Sequence, residues 1–409
     1  MKRCKVLTAL VLACLMLLTA CGKKAAEETV TTQEIPTAQV SALEITEADR
    51  AYLKTYLADY EAGKFDGEKL FEYQRFTEFV EPFNYKGLTY PADPSVEVQV
   101  TEEDVDSYLT KFLLATLVSD DQYVEVPDGV VQKYDVAVID FRGLVDGVET
   151  EGTNGTDQTL VIGSGTYIDG FESGLIGKKI GEEVRLDLKF SPYYGAEDVA
   201  GKDVTFFVTV KKIQRAEIPS LSVDVINQYY QTDFKTVEEA KEWFREALET
   251  QEKNQVYTTV STYLQKKIIA GLNVVQYPEK EVEHYAGHFM NYHEQMKGDN
   301  DWEVYCSESL GISYEALQQE AQAYAQEQVR SLLMIGYIAQ EEGITCTADQ
   351  IGAFIEGFYT TQNTDGYYGD LRSMVVDCTD LYGADYFEDQ VIGAMVSEKI
   401  IEYAVKEAV

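Results

Sequence analysis

Thirteen of the 29 glycines fall between Gly129 and Gly201, and after Pro219 only Pro278 interrupts the chain. Glycine accepts left-handed backbone and marks turns, whereas proline breaks helices. The two distributions predict a turn-rich sheet over residues 127–215 and an all-helical segment over 216–409. In the first, residues 136–141, 184–190 and 204–213 read as strands, Asp146-Gly147 as a hairpin turn, and about 170–175 as a short helix. In the second, Thr236-Val-Glu-Glu239 and Thr347-Ala-Asp-Gln350 are capping boxes that open helices. The fold class expected is α+β: a curved antiparallel sheet around a short helix, followed by an all-α domain.

Residues 46–126 read as a small lead-in of helices and strands. Tyr52, Tyr56 and Tyr60 stand at helical spacing, and 85–90 and 96–100 resemble short strands. Thr101-Glu-Glu-Asp104 is an N-cap signal for a helix running to about Val118.

Residues 1–20 follow the plan of a secretory signal: Lys2, Arg3 and Lys5, then an apolar run over 6–18 that is short for a membrane span. Leu18-Thr19-Ala20-Cys21-Gly22 is similar to a bacterial lipoprotein box. This implies lipidation of Cys21, a flexible tether over 21–45, and an extracytoplasmic, membrane-anchored protein. The net charge is −37; removal of 1–20 leaves 31 basic against 71 acidic residues, or −40. Such a chain repels nucleic acid and anionic lipid.

Cys306, Cys346 and Cys378 are widely spaced and fit neither a disulfide framework nor a zinc pattern. They read as three buried thiols, or as one disulfide with a spare thiol. His284 and His288 share a helix face at i,i+4, a spacing that can hold a metal. His293 points about half a turn away. All three read as solvated or helix-packing residues. Tyr367 and Tyr368, in a glycine-rich segment, are expected to be exposed.

Ile162-Gly-Ser-Gly-Thr-Tyr-Ile-Asp-Gly-Phe-Glu-Ser-Gly-Leu-Ile-Gly177 resembles the signature of FKBP-type peptidyl-prolyl isomerases, in the version found in trigger factor. Phe234-Lys-Thr-Val-Glu-Glu-Ala, Leu310-Gly-Ile-Ser-Tyr-Glu-Ala-Leu, Glu342-Gly-Ile-Thr and Tyr386-Phe-Glu-Asp-Gln-Val are similar, more loosely, to the carboxy-terminal chaperone domain of trigger factor. The resemblance covers roughly residues 84–409. It implies a peptidyl-prolyl cis-trans isomerase and chaperone that binds unfolded or newly exported polypeptides with X–Pro bonds. The ribosome-docking signature Gly-Phe-Arg-x-Gly is absent from the sequence, so no ribosome docking is expected.

The implied chemistry is rotation about an amide whose barrier is about 18–20 kcal/mol. It needs no nucleophile, metal or cofactor, only a dry aromatic groove and a donor matched to the twisted state. The resemblance assigns Phe141 to a wall, Tyr167 and Ile168 to the rim, and the Ile168 N–H to a substrate carbonyl. Phe171 becomes the floor under the proline ring, Tyr194 a hydroxyl donor, Phe206 the far closure and Glu151 an acidic flank. Thr150 and Gln158 stand where the family usually keeps aromatics, which implies a wetter, wider groove. The alternatives are a holdase or an assembly lipoprotein that uses the domain as a scaffold.

Overall fold

The computed structural model describes residues 45–64, 76–362 and 367–408. The signal segment, Cys21 and nearly all of the tether lie outside the described residues. The chain divides into two compact units: one continuous over Pro91–Thr259, the other assembled from Val40–Tyr90 and Val260–Glu407. The expected lead-in over 46–126 is thus split between them. Hydrophobic burial explains the first half. Helix α1 (Glu47–Glu61), capped by Thr46, buries Leu53 in one cluster with Ile351, Ile355, Met374 and Phe387. Strand β1 (Thr89–Tyr90) then pairs in parallel with a terminal strand, Val405–Lys406.

In the continuous unit, Thr101 opens α2 (Glu102–Leu117) as expected. Its hydroxyl accepts the Asp104 N–H at 3.2 Å, and the Asp104 carboxylate accepts the Thr101 N–H at 2.8 Å. Residues 96–100 form no strand. A 3-10 turn at Pro94–Val96 precedes them, where Asp93 accepts the Ser95 N–H and Pro94 has no N–H to give a ladder.

The sheet comprises β2 (Val124–Glu125), β3 (Val136–Val145), β4 (Val148–Val161), β5 (Glu183–Lys189) and β6 (Asp203–Arg215), all antiparallel. β6 is central, with β3 along one edge and β5 and β2 along the other. The β3–β4 hairpin turns on Asp146 and Gly147, at φ of 51° and 81°. This mirror-image turn matches the twist of the flanking strands, and Gly147 makes it cheap.

Val204, Phe206, Val208 and Val210 alternate onto the buried face of β6. Helix α3 (Phe171–Leu175) joins the same core with Phe171 and Leu175, both fully buried. Each such side chain contributes about 1.5–3 kcal/mol. Asp135, 1% exposed, is neutralised by Arg215 through bonds of 2.6 and 2.7 Å. A second core of this unit joins α2, α4 (Val223–Tyr230) and α5 (Val237–Ala270) through Phe112, Ile226, Tyr230 and Phe244. α5 starts at the expected cap: the Thr236 hydroxyl accepts the Glu239 N–H at 3.1 Å, although the Glu239 carboxylate takes the Lys235 N–H instead. α5 contributes to both units, divided at Thr259.

The other unit is helical. Pro278 precedes α6 (Glu279–Lys297), followed by α7 (Trp302–Tyr305) and α8 (Tyr314–Glu342). Ala286, Ala321 and Ala325 meet where α6 and α8 pack, and their small side chains let the helices approach closely. The Thr347–Gln350 box opens α9 (Ala348–Gln362) with both reciprocal bonds in place. α10 (Leu371–Tyr382) and α11 (Tyr386–Tyr403) complete the set. Tyr367 is exposed as expected, but Tyr368 is buried against Leu371 and Met374, because a large ring beside an apolar helix gains more by packing. Cys306 and Cys378 are buried, whereas Cys346 is only half-buried. No helix among the described residues is long and apolar enough to cross a membrane.

One carboxylate ties three distant segments of this unit. Glu342, at the end of α8, accepts from Tyr85 at 2.6 Å and from Tyr403 at 2.8 Å, and pairs with Lys86 at 2.7 Å. Lys86 first, then the two hydroxyls, hold the Glu342 carboxyl down at about 2, against an ordinary value of 4.5. A depressed carboxyl stabilises the fold above its unfolded value and loses that contribution as pH falls through the folded one. Glu342→Gln should therefore lower stability at neutral pH by about 1–3 kcal/mol. In urea titrations the deficit should persist down to about pH 4.5 and shrink between there and about pH 2. An equal deficit at pH 7 and pH 2 would show that charge is not its source.

Candidate active site

The signature segment, β3, β6 and the loop after β5 bring one aromatic cluster together. Phe141 projects from β3 at the position that pairs with Gly155 of β4 and Val208 of β6. Its ring stands edge-on to Tyr167 at 5.6 Å, to Phe171 at 5.7 Å and to Phe206 at 6.0 Å. Phe171 and Phe206 are also perpendicular, at 5.1 Å. Edge-to-face pairs of this kind set the ring quadrupoles favourably.

Two glycines make the room. A Cβ on Gly155 would lie 2.5 Å from the Phe141 ring, and one on Gly143 would lie 2.8 Å from the Phe206 ring and 2.7 Å from Thr153. Behind the wall, Asp140 accepts the Asp157 N–H at 2.8 Å, and Lys211 pairs with both aspartates. The Asp157 N–H, and after it Lys211, hold the Asp140 carboxyl below its ordinary range.

Phe141, Tyr167, Ile168, Phe171 and Phe206 thus share one core with its partly buried margin. Ile168 is half-buried, and its N–H meets no acceptor among the described residues. Tyr194 stands apart: it is 43% exposed, its ring rests on Phe190 at 4.7 Å, and its hydroxyl meets no partner among the described residues. The neighbouring Tyr193 is the anchored one, donating to the Pro91 carbonyl at 2.5 Å. Glu151 lies in β4, and its side chain falls outside the described residues. The Thr150 and Gln158 side chains donate to carbonyls of their own strand, at 3.2 and 3.1 Å, and contribute no ring.

The rim depends on a residue that the sequence reading passed over. Glu172 is 7% exposed, and its carboxylate gathers the signature loop around itself. It accepts the N–H groups of Gly163 at 2.7 Å, Gly165 at 3.1 Å and Tyr167 at 3.1 Å, and the Ser164 hydroxyl at 3.0 Å. Lys111 of α2 donates to the Ser164 carbonyl at 3.2 Å. A glycine-rich loop that forms no ladder leaves its donors unpaired, and one carboxylate just beyond it can collect them. That need was the available signal.

The histidines do not join this cluster. His284 and His288 lie with ring centroids 4.1 Å apart on α6, their planes inclined by 54°, with Tyr382 5.9 Å from His288. His293 bonds the Tyr305 hydroxyl at 2.9 Å. Burial pushes all three imidazoles down, His288 to about 4.

The structure thus combines an antiparallel sheet curled on one short helix, with an aromatic cluster at the helix start, and a helical unit. Residues 128–211 match the family described as FKBP-type peptidyl-prolyl cis-trans isomerase, and 236–365 match the bacterial trigger factor C-terminus. The chain is trigger factor-like, with an FKBP-type domain and a trigger factor C-terminal region.

The trigger factor of Halothermothrix orenii is 32% identical over 280 residues, covering 68% of this chain and 62% of that protein. That of Streptococcus pyogenes serotype M5 is 33% identical over 286 residues, covering 68% and 64%. The chain therefore spans somewhat less than two thirds of these relatives. A solved trigger factor chaperone structure, described for promiscuous substrate recognition in folding and assembly, is similar at a TM-score of 0.32 and 16% identity. It covers 75% of this chain and 71% of that one.

Removing Glu172 should release the rim. In Glu172→Ala, the amides of Gly163, Gly165 and Tyr167 should exchange markedly faster, with a stability loss of about 1–3 kcal/mol. The β6 amides should be far less affected. Unchanged protection of the three loop amides in hydrogen-exchange NMR would mean that the loop is held by something else.

Proposed function

We propose that this chain is a lipid-anchored, extracytoplasmic folding factor that isomerises X–Pro bonds in residues 127–215 and holds unfolded, newly exported polypeptides on its helices. The observation that carries the catalytic part is the convergence of Phe141, Phe171 and Phe206 beside the unengaged N–H of Ile168. X–Pro bonds isomerise unaided over tens to hundreds of seconds. An apolar groove strips water from the amide and so weakens the charge-separated form that stiffens it. The twisted amide has lost its resonance and gains relative to the planar one. The Ile168 N–H then holds the carbonyl before the rotating bond, and the Tyr194 hydroxyl reaches the chain beyond it. No proton moves, so no titrating group is required.

Cys21 supplies the anchor in this reading, and the acidic mature chain stands off an anionic membrane. Cys21→Ser should move the protein from the membrane fraction to the soluble fraction and abolish labelling by a fatty-acid analogue.

A second reading, a non-catalytic holdase built on the same scaffold, is favoured by one feature. Phe171 has no exposed surface, and Thr150 and Gln158 offer no rings. NMR exchange measurements on a proline peptide, with the full mature chain carrying Cys21→Ser, separate the two. Catalysis by this protein, at least tenfold weaker in Phe171→Ala and a few-fold weaker in Tyr194→Phe, supports the enzyme. Rates equal to the uncatalysed rate in all three leave the holdase.

A further inference from the structure

The residue assigned to the floor of the pocket cannot be touched from outside. Phe171 has no accessible surface, although it lies beside the half-buried rim. Its face is covered by Tyr167: the two rings stack at 4.5 Å with their planes 18° apart. Phe141 stands edge-on to both rings, and Phe206 edge-on to Phe171, so the remaining sides are walls. A flat ring lies over the floor, in the place that a proline ring would need.

The Tyr167 backbone is anchored by a hydrogen bond, while its side chain is held only by ring contacts among the described residues. Its N–H donates to the Glu172 carboxylate, which also holds Gly163 and Gly165. Its ring is half-buried at the edge of the core, and its hydroxyl forms no bond among the described residues. Rotation about χ1 can therefore clear the floor without moving the loop, and half-exposed side chains change rotamer quickly.

We propose that Tyr167 is a gate of the pocket: its ring occupies the seat on Phe171 and swings out before an X–Pro ring can enter. This rests on the isomerase reading. Only molecules with the ring out are competent, so the apparent affinity for any proline peptide is reduced by that fraction. Glu172 acts through Tyr167 as a positioning residue, because it sets the pivot from which the ring swings.

The test uses the full mature chain carrying Cys21→Ser and a proline peptide, with NMR exchange rates and chemical-shift titrations. Tyr167→Ala should lower KM, or the peptide Kd, by about two- to tenfold, the worth of one aromatic pair. Tyr167→Phe, which keeps the ring, should behave as the parent protein.

A Tyr167→Ala variant with a raised KM or Kd overturns the gate, because Tyr167 is then an ordinary wall; the isomerase reading survives that result. Tighter peptide binding by Tyr167→Ala without catalysis supports the gate and sinks the isomerase reading. Absence of both binding and catalysis in every protein sinks both.

A measurement on the parent protein needs no core substitution. The Phe171 ring protons should show the ring-current shift of the Tyr167 stack and lose it at saturating peptide. A stack that persists at saturation overturns the gate.

Discussion

The sheet of the continuous unit closes around Phe171, and most of what surrounds it follows from that. The ring is presented by a helix of only five residues, too short to be stable alone, so its position depends on burial. Phe206 and Phe141 meet it from two strands because Gly143 and Gly155 leave space for their rings. The loop that leads into the helix has almost no ladder of its own and is gathered by the next residue, Glu172. Fold and site therefore share parts, and a change that improves packing beneath the pocket also changes the pocket.

Where structure is decided locally, the sequence was readable. Thr101 with Asp104 and Thr347 with Gln350 place both members of a cap within four residues, and the caps form as expected. Asp146-Gly147 and the alternation of β6 are equally local. The resemblance to a known family named Phe141, Tyr167, Phe171 and Phe206 together, and the structure brings them into one core.

The failures occur where distant parts decide. Residues 96–100 have strand composition but no partner strand. Tyr368 sits in a segment of turn composition, yet a helix face nearby buries it. The division of residues 46–126 depends on Leu53 and β1 finding partners some 300 residues on. In the site, the stacking of the Tyr167 ring on Phe171 could not be read, because a sequence gives no side-chain torsion. Glu172 was passed over because its partners are backbone groups, which every sequence contains.

The pairing of β1 with Val405–Lys406 has a consequence for the order of assembly. One unit is a continuous stretch that ends at Thr259, within α5. The other has its first strand near residue 90 and its partner strand almost at the end of the chain. As the chain emerges from its amino end, the sheet unit can finish while the helical unit still waits, with α1 and β1 made but unpartnered. The helical unit would thus pass through a long interval with its apolar helix faces open, until Val405–Lys406 pairs with β1.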